Sequence, residues 1–172
     1  MIDDYNSLTP NFLTNIKKNL FLSLIALITL FLGATQTAKA DSDVYFFVDF
    51  RYLAPEFVIS LNGEPAFTLN PEVDKHYEAT GMTLYKMVAR KVTFKNEGTY
   101  VLEMVCHTGK GDMKAELNLN IEDGQTYYVN INSVPKKPLY AEVLSEKEGL
   151  KKMKKSEGKQ YTINEPIVYE GK

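Results

Sequence analysis

Hydrophobic and polar residues alternate with a period of two through most of the chain after residue 43. Val44, Phe46, Val48, Phe50 and Tyr52 share one face of the first such stretch, with Tyr45, Phe47, Asp49 and Arg51 on the other. That spacing and its aromatic content predict a strand with its first face in a core. Residues 57–61 predict a second strand ending at Asn62-Gly63, a dipeptide that accepts positive φ at both positions and closes a two-residue hairpin. The return strand carries Phe67 and Leu69, with Pro65 marking its start or an edge. Residues 70–81 are polar and rich in turn formers, and read as a loop. Residues 82–94 are strand-like, but the alternation breaks near Arg90, which predicts a bulge or two short strands.

Tyr100, Leu102, Met104 and Cys106 then alternate with Val101, Glu103, Val105 and His107. After a tight connection at residues 109–112 comes the clearest strand, with Met113, Ala115, Leu117, Leu119 and Ile121 inward and Lys114, Glu116, Asn118 and Asn120 outward. Asp123-Gly124 turns the chain into Tyr127, Val129 and Ile131, residues 135–138 break it again, and residues 139–144 form a last strand. Short strands separated by Gly, Asn and Pro predict a mainly β fold, a single antiparallel β-sandwich (Ig-like or prealbumin-like) over residues 41–144. Strand–helix–strand alternation is missing, which argues against a parallel α/β sheet. Ser145-Glu146-Lys147-Glu148 is a capping box that starts one short C-terminal helix of about three turns. Leu150 and Met153 fall three apart on one face, Gly149 weakens the helix, and residues 160–172 read as a tail with a strand at 167–169.

The segment before the strands changes the picture of where the chain goes. Residues 20–32 are apolar apart from Ser23 and Thr29, Lys17 and Lys18 precede them, and Gly33 and Ala38-Lys39-Ala40 follow. Positive charge, apolar run and small residues in that order predict a secretory signal peptide over residues 1–40, cut after Ala40. The run is shorter than the ~20 residues that span a hydrocarbon core; retention as an inner-membrane anchor is the alternative. The chain of 172 residues carries net charge −2, which gives no global basic footprint and argues against nucleic acid. One cysteine, Cys106, forms no intramolecular disulfide.

The residues that carry chemistry are few. Cys106 and His107 are neighbours on a strand and point to opposite faces, so they form no dyad; Cys106 reads as a small buried hydrophobe. His76 lies near Asp74 and Glu78, but the chain has no H-E-x-x-H and no paired ligand spacing, so neither metal nor cofactor is expected. Glu103 and His107 are four apart on one outward face, hence ~13 Å along the strand. Asp49, flanked by apolar neighbours, is the better candidate for a buried carboxylate, but a solvent-facing carboxylate beside Arg51 on the outer face is the favoured reading. Residues 145–172 hold seven lysines against five glutamates, while residues 41–144 hold ten basic against fifteen acidic residues. The cluster Lys151, Lys152, Lys154 and Lys155 complements the helix end and is one candidate interaction surface for an anionic partner. Tyr45, Phe47, Tyr128 and Tyr140 on outer faces are another, unless the helix or a second sheet covers them.

Four segments carry a family resemblance: the opening Val44-Tyr45-Phe46-Phe47, Val58-Ile59-Ser60-Leu61-Asn62-Gly63, Gly98-Thr99-Tyr100-Val101-Leu102, and Gly124-Gln125-Thr126-Tyr127-Tyr128-Val129. With the helical segment 145–155 they resemble the small exported bacterial β-sandwich domains of unknown function, similar in style to PEGA and carboxypeptidase-regulatory-like domains. The resemblance implies fold and export and brings no catalytic residue with it. The expectation is a secreted or periplasmic, non-catalytic binding or cell-envelope structural module, its partner an envelope protein or a glycan, with a membrane involved only if the signal segment stays. The rival readings are an enzyme whose site is assembled from separate strands, with His76, His107, Asp49 and Glu103 as its residues, and the membrane-anchored module.

Overall fold

A computed structural model describes residues 39–49, 56–108, 111–133 and 138–171. Residues 1–38 of the proposed signal segment, including Lys17, Lys18 and Ala38, lie outside them, as do Phe50, Arg51, Tyr52 and the connections at 109–110 and 134–137. In chain order the elements are β1 (Ser42–Val48), β2 (Phe57–Leu61), β3 (Glu64–Leu69), β4 (Val73–Tyr77), β5 (Met82–Tyr85), β6 (Met87–Phe94), β7 (Gly98–Thr108), β8 (Gly111–Ile121), β9 (Thr126–Ser133), β10 (Leu139–Val143), α1 (Glu146–Ser156) and β11 (Tyr161–Tyr169). The described residues are mostly β, with one short helix and three sheets among them: β10-β9-β1-β6-β11, β3-β2-β7-β8, and the ribbon β4-β5.

The alternating residues do what their period dictates. Val44, Phe46 and Val48 of β1 are buried, and so are Phe57, Ile59 and Leu61 of β2, Leu102, Met104 and Cys106 of β7, and Leu119 and Ile121 of β8. Residues from the five-stranded and the four-stranded sheet meet in one core cluster. Asn62 (φ 53°) and Gly63 (φ 81°) form the tight β2–β3 turn, the left-handed geometry that matches strand twist. Phe94, Tyr100 and Tyr169 close one end of the core, their ring centroids 5.1–5.9 Å apart.

Four expectations are corrected. The five-stranded sheet is mixed, not antiparallel: β1 runs antiparallel to β6 but parallel to β9, and β11 runs parallel to β6. Residues 70–81 contain β4, and both faces of its ribbon carry polar side chains, so no apolar alternation marks it. The tail is a nine-residue edge strand, β11. Its register shifts between Asn164 and Ile167, where Glu165 and Pro166 sit, and an edge bulge tolerates a proline that cannot donate to a ladder. Residues 82–94 do divide into two strands, but the break falls at Lys86; Arg90 lies inside β6.

Arg90 shares a sheet face with Phe46, directly across from it. Its guanidinium turns to the sheet margin, where Nε donates to Glu165 O (2.8 Å) and Nη1 to Thr68 O of β3 (2.6 Å). Burial lowers its pKa, against the raising pull of Glu165. Beside it Asn164 acts as a substitute strand: its Oδ1 accepts from Asn70 N (2.8 Å) and its Nδ2 donates to Asn70 O (2.9 Å). Thr162 Oγ1 accepts from Glu72 N (2.9 Å). These bonds tie β11 to the β3–β4 connection.

Candidate functional site

The outward side of β1 carries Tyr45, Phe47 and, just past its end, Asp49, and α1 lies across that side. The helix starts as its sequence requires: Ser145 Oγ accepts from Glu148 N, and Glu148 reaches back to Ser145 N. The Ser145 hydroxyl and backbone N–H lower the Glu148 pKa. Gly149 is the helix residue against the sheet, and its bare backbone rests on the Tyr128 ring; a Cβ there would overlap Tyr128 Cγ, Cδ1 and Cδ2. Phe47, Met87, Ala89, Tyr128 and Tyr161 form a second buried cluster, with Tyr45, Leu144 and Met153 packed on it. Tyr45 and Tyr128 stack at 5.7 Å. The five-stranded sheet is thus covered on both faces, and Phe47 and Tyr128 belong to a core instead of a free surface. Leu150, expected beside Met153, is exposed; the face of α1 turned to the sheet is Gly149, Lys152, Met153 and Ser156.

A polar cluster drawn from five parts of the chain completes this layer. Lys152 Nζ of α1 donates to Asp49 Oδ2 and to Asn130 Oδ1 of β9 (2.7 Å). Tyr161 OH of β11 donates to Asp49 Oδ1 (2.5 Å), and Asn130 Nδ2 donates to Glu142 Oε1 of β10 (3.0 Å). The Lys152 and Asp49 side chains are 18% and 19% exposed, and Asn130 is buried. Burial first, then the Asp49 carboxylate, raises the Tyr161 hydroxyl far above its ordinary range, so it stays a donor. Asp49 is therefore paired from two sides, and Lys152 points into the molecule, whereas Lys151, Lys154 and Lys155 face solvent.

Alongside, between the end of α1 and the sheet, runs a groove of about 240 Å³. Tyr45, Phe47, Ala89, Met153 and Ile163 give it apolar walls, and Lys91 and Glu157 stand among its lining residues. Asp43 holds Lys91 in a 2.8 Å ion pair, and that hydrogen bond raises the Lys91 pKa. Ile163 is 60% exposed at its mouth, and Val168, further along β11, is 56% exposed.

The remaining sequence candidates are scattered. His76 Nδ1 meets Thr83 Oγ1 (2.9 Å) across the β4–β5 ribbon. His107 Nδ1 meets Asp112 Oδ1 (2.7 Å) across β7–β8, with both side chains exposed. Glu103 lies opposite Glu116 and Ser60 on the outward side of the four-stranded sheet. With Asp49 under α1, the four residues of the strand-assembled enzyme sit in separate local pairings on three sheets and form no constellation. Cys106 is fully buried, which raises its thiol to about 11, with Asp112 adding to the shift. Tyr140 is exposed on β10, and Ala40 is exposed ahead of β1. Among the described residues no group of three or more His, Cys, Asp or Glu is placed to hold a metal, and no helix is long and apolar enough to cross a membrane.

Sequence reasoning missed Asn130, Glu142 and Tyr161. Each sits singly in a strand, and only the mixed pairing of the sheet brings them beside Asp49. One signal was available: Asp49 lies on the same strand face as Phe47. Comparison of the chain with family models, with curated proteins and with solved structures gives no match.

Proposed function

We propose that this chain is an exported module of the bacterial envelope, secreted or periplasmic, that works by surface recognition and not by turnover. Its two larger sheets share one core and are read here as the layers of a β-sandwich, in line with the resemblance of the four strand segments. The charge order, apolar run and Ala38-Lys39-Ala40 ahead of β1 support export. The groove beside α1 carries the recognition reading. Apolar side chains left open at a concave site, with a few charged groups among them, favour a ligand that removes them from water. The occupant that fits is an apolar side chain or short aliphatic stretch of an envelope protein.

A photo-crosslinking residue placed at Ile163 in the native exported protein tests this directly, with one at Lys114 on the opposite sheet as the control. A discrete adduct from position 163 in whole envelopes, missing from 114, is the expected result. Equal or no labelling from the two positions overturns the groove as a recognition site. The N-terminal peptide of the same sample reports the leader: a chain beginning at Asp41 excludes a retained anchor.

A further inference from the structure

We propose that Lys152 and Asn130 become joined by a side-chain amide bond that the chain forms by itself, with Asp49 moving the protons. The nucleophile and the acyl group are already together. Lys152 Nζ is 2.7 Å from Asn130 Oδ1, and a carbonyl bond is about 1.23 Å long, so Asn130 Cγ is within about 4 Å of Nζ. That is a small rotation from the ~3–3.5 Å of a near-attack geometry, and groups held this way react as if at very high concentration.

The other roles are filled by neighbours. The Asp49 carboxylate is hydrogen-bonded to Nζ, where a base that activates a lysine has to stand. Tyr161 OH donates to its second oxygen and holds its plane. Glu142 accepts from Asn130 Nδ2, which turns the amide so that its oxygen faces Lys152 and its nitrogen, the leaving group, faces away. Lys152 comes from a helix and Asn130 from a strand, each fixed by its own packing, so folding itself delivers the pair.

The step balances without a co-reactant. Asp49 takes a proton from the Lys152 ammonium, and the freed amine attacks Asn130 Cγ. In the tetrahedral adduct Nζ and Nδ2 are bonded to the same carbon, so the Asp49 carboxyl that faces Nζ returns its proton to Nδ2 as the Cγ–Nδ2 bond breaks, and takes up the second one from Nζ. Ammonia leaves and carries off this last proton as ammonium, so that one C–N bond has replaced another, nothing is oxidised or reduced, and Asp49 is regenerated. Loss of ammonium to bulk solvent draws the exchange forward.

The test is a denaturing peptide map of the full chain purified from cells. Trypsin should release residues 115–136 covalently attached to the peptide that begins at Lys152, at the summed mass of the two less one ammonia. Lys152→Arg and Asp49→Ala chains should release residues 115–136 free and at full mass. Free, unmodified 115–136 as the product of the wild-type chain overturns the proposal. A link from Lys152 to Asp49 with loss of water overturns it too, since it takes the bond off Asn130. The wild-type map decides the matter even if a variant fails to fold, and its outcome is independent of whether the groove binds a partner.

Discussion

Cys106 shows how far a single environment decides a residue's chemistry. A thiol reacts as its thiolate, and burial holds this one protonated, with a pKa of about 11. In the native protein an alkylating reagent at pH 8 should leave Cys106 unmodified, and the same reagent in denaturant should label it fully; equal labelling in both would contradict its burial. The shift also sets a pH dependence. An unfolded chain's thiol ionises near 8.5, so above that pH the unfolded state binds fewer protons than the folded one, and stability falls as pH rises. The contribution is whole below about pH 8.5 and is lost by roughly pH 11, at most about 3 kcal/mol. Tyr100, Tyr128 and Tyr161 are shifted in the same direction by burial and extend the decline. Urea unfolding at pH 8 and pH 10 should show a larger loss for the wild type than for Cys106→Ala.

At the scale of elements, α1 turns a residue of poor helix propensity into the point of contact. Gly149→Ala raises intrinsic helix propensity by about 1 kcal/mol, yet the new methyl group has to displace the Tyr128 ring. Overpacking of this kind costs about 1–3 kcal/mol, so Gly149→Ala should lower the melting temperature. Leu150→Ala, one residue on and exposed, should leave it within the ~0.5 kcal/mol typical of surface changes. The pair of melting curves separates a packing glycine from a merely tolerated one.

The same contrast marks what could be read in the sequence. Strands with one buried and one wet face, such as β8, announce themselves by alternation, and Asn62-Gly63 and the Ser145–Glu148 box follow from backbone chemistry alone. β6 was blurred because Val88 faces one core and Met87 and Ala89 the other, which erases the period. β4 has little core to face, and β11 hides behind Pro166. The Asp49 cluster needed the order of strands in the sheet, which is a long-range property that no local pattern encodes.

For the whole molecule, β11 is a structural strand and not a tail. It places Tyr161 in the cluster under α1 and Tyr169 in the aromatic group with Phe94 and Tyr100, and through Asn164 and Thr162 it holds the β3–β4 connection. A chain ending at Gln160 should lose its cooperative thermal transition, because one buried cluster is opened and a parallel edge is stripped from β6. A sharp, wild-type-like transition would show that β11 is dispensable.

The parallel pairing of β1 with β9 also has a consequence in time. Asp43 has Thr93 as its neighbour on one side and Thr126 on the other, so the first strand made sits at the centre of a sheet whose other members are made much later. Such distant pairings are slow to form, and a nascent chain that has not yet reached residue 126 has no way to complete the layer. Until then the aromatic-rich β1 can pair with β6 on one side only, and its other edge stays open.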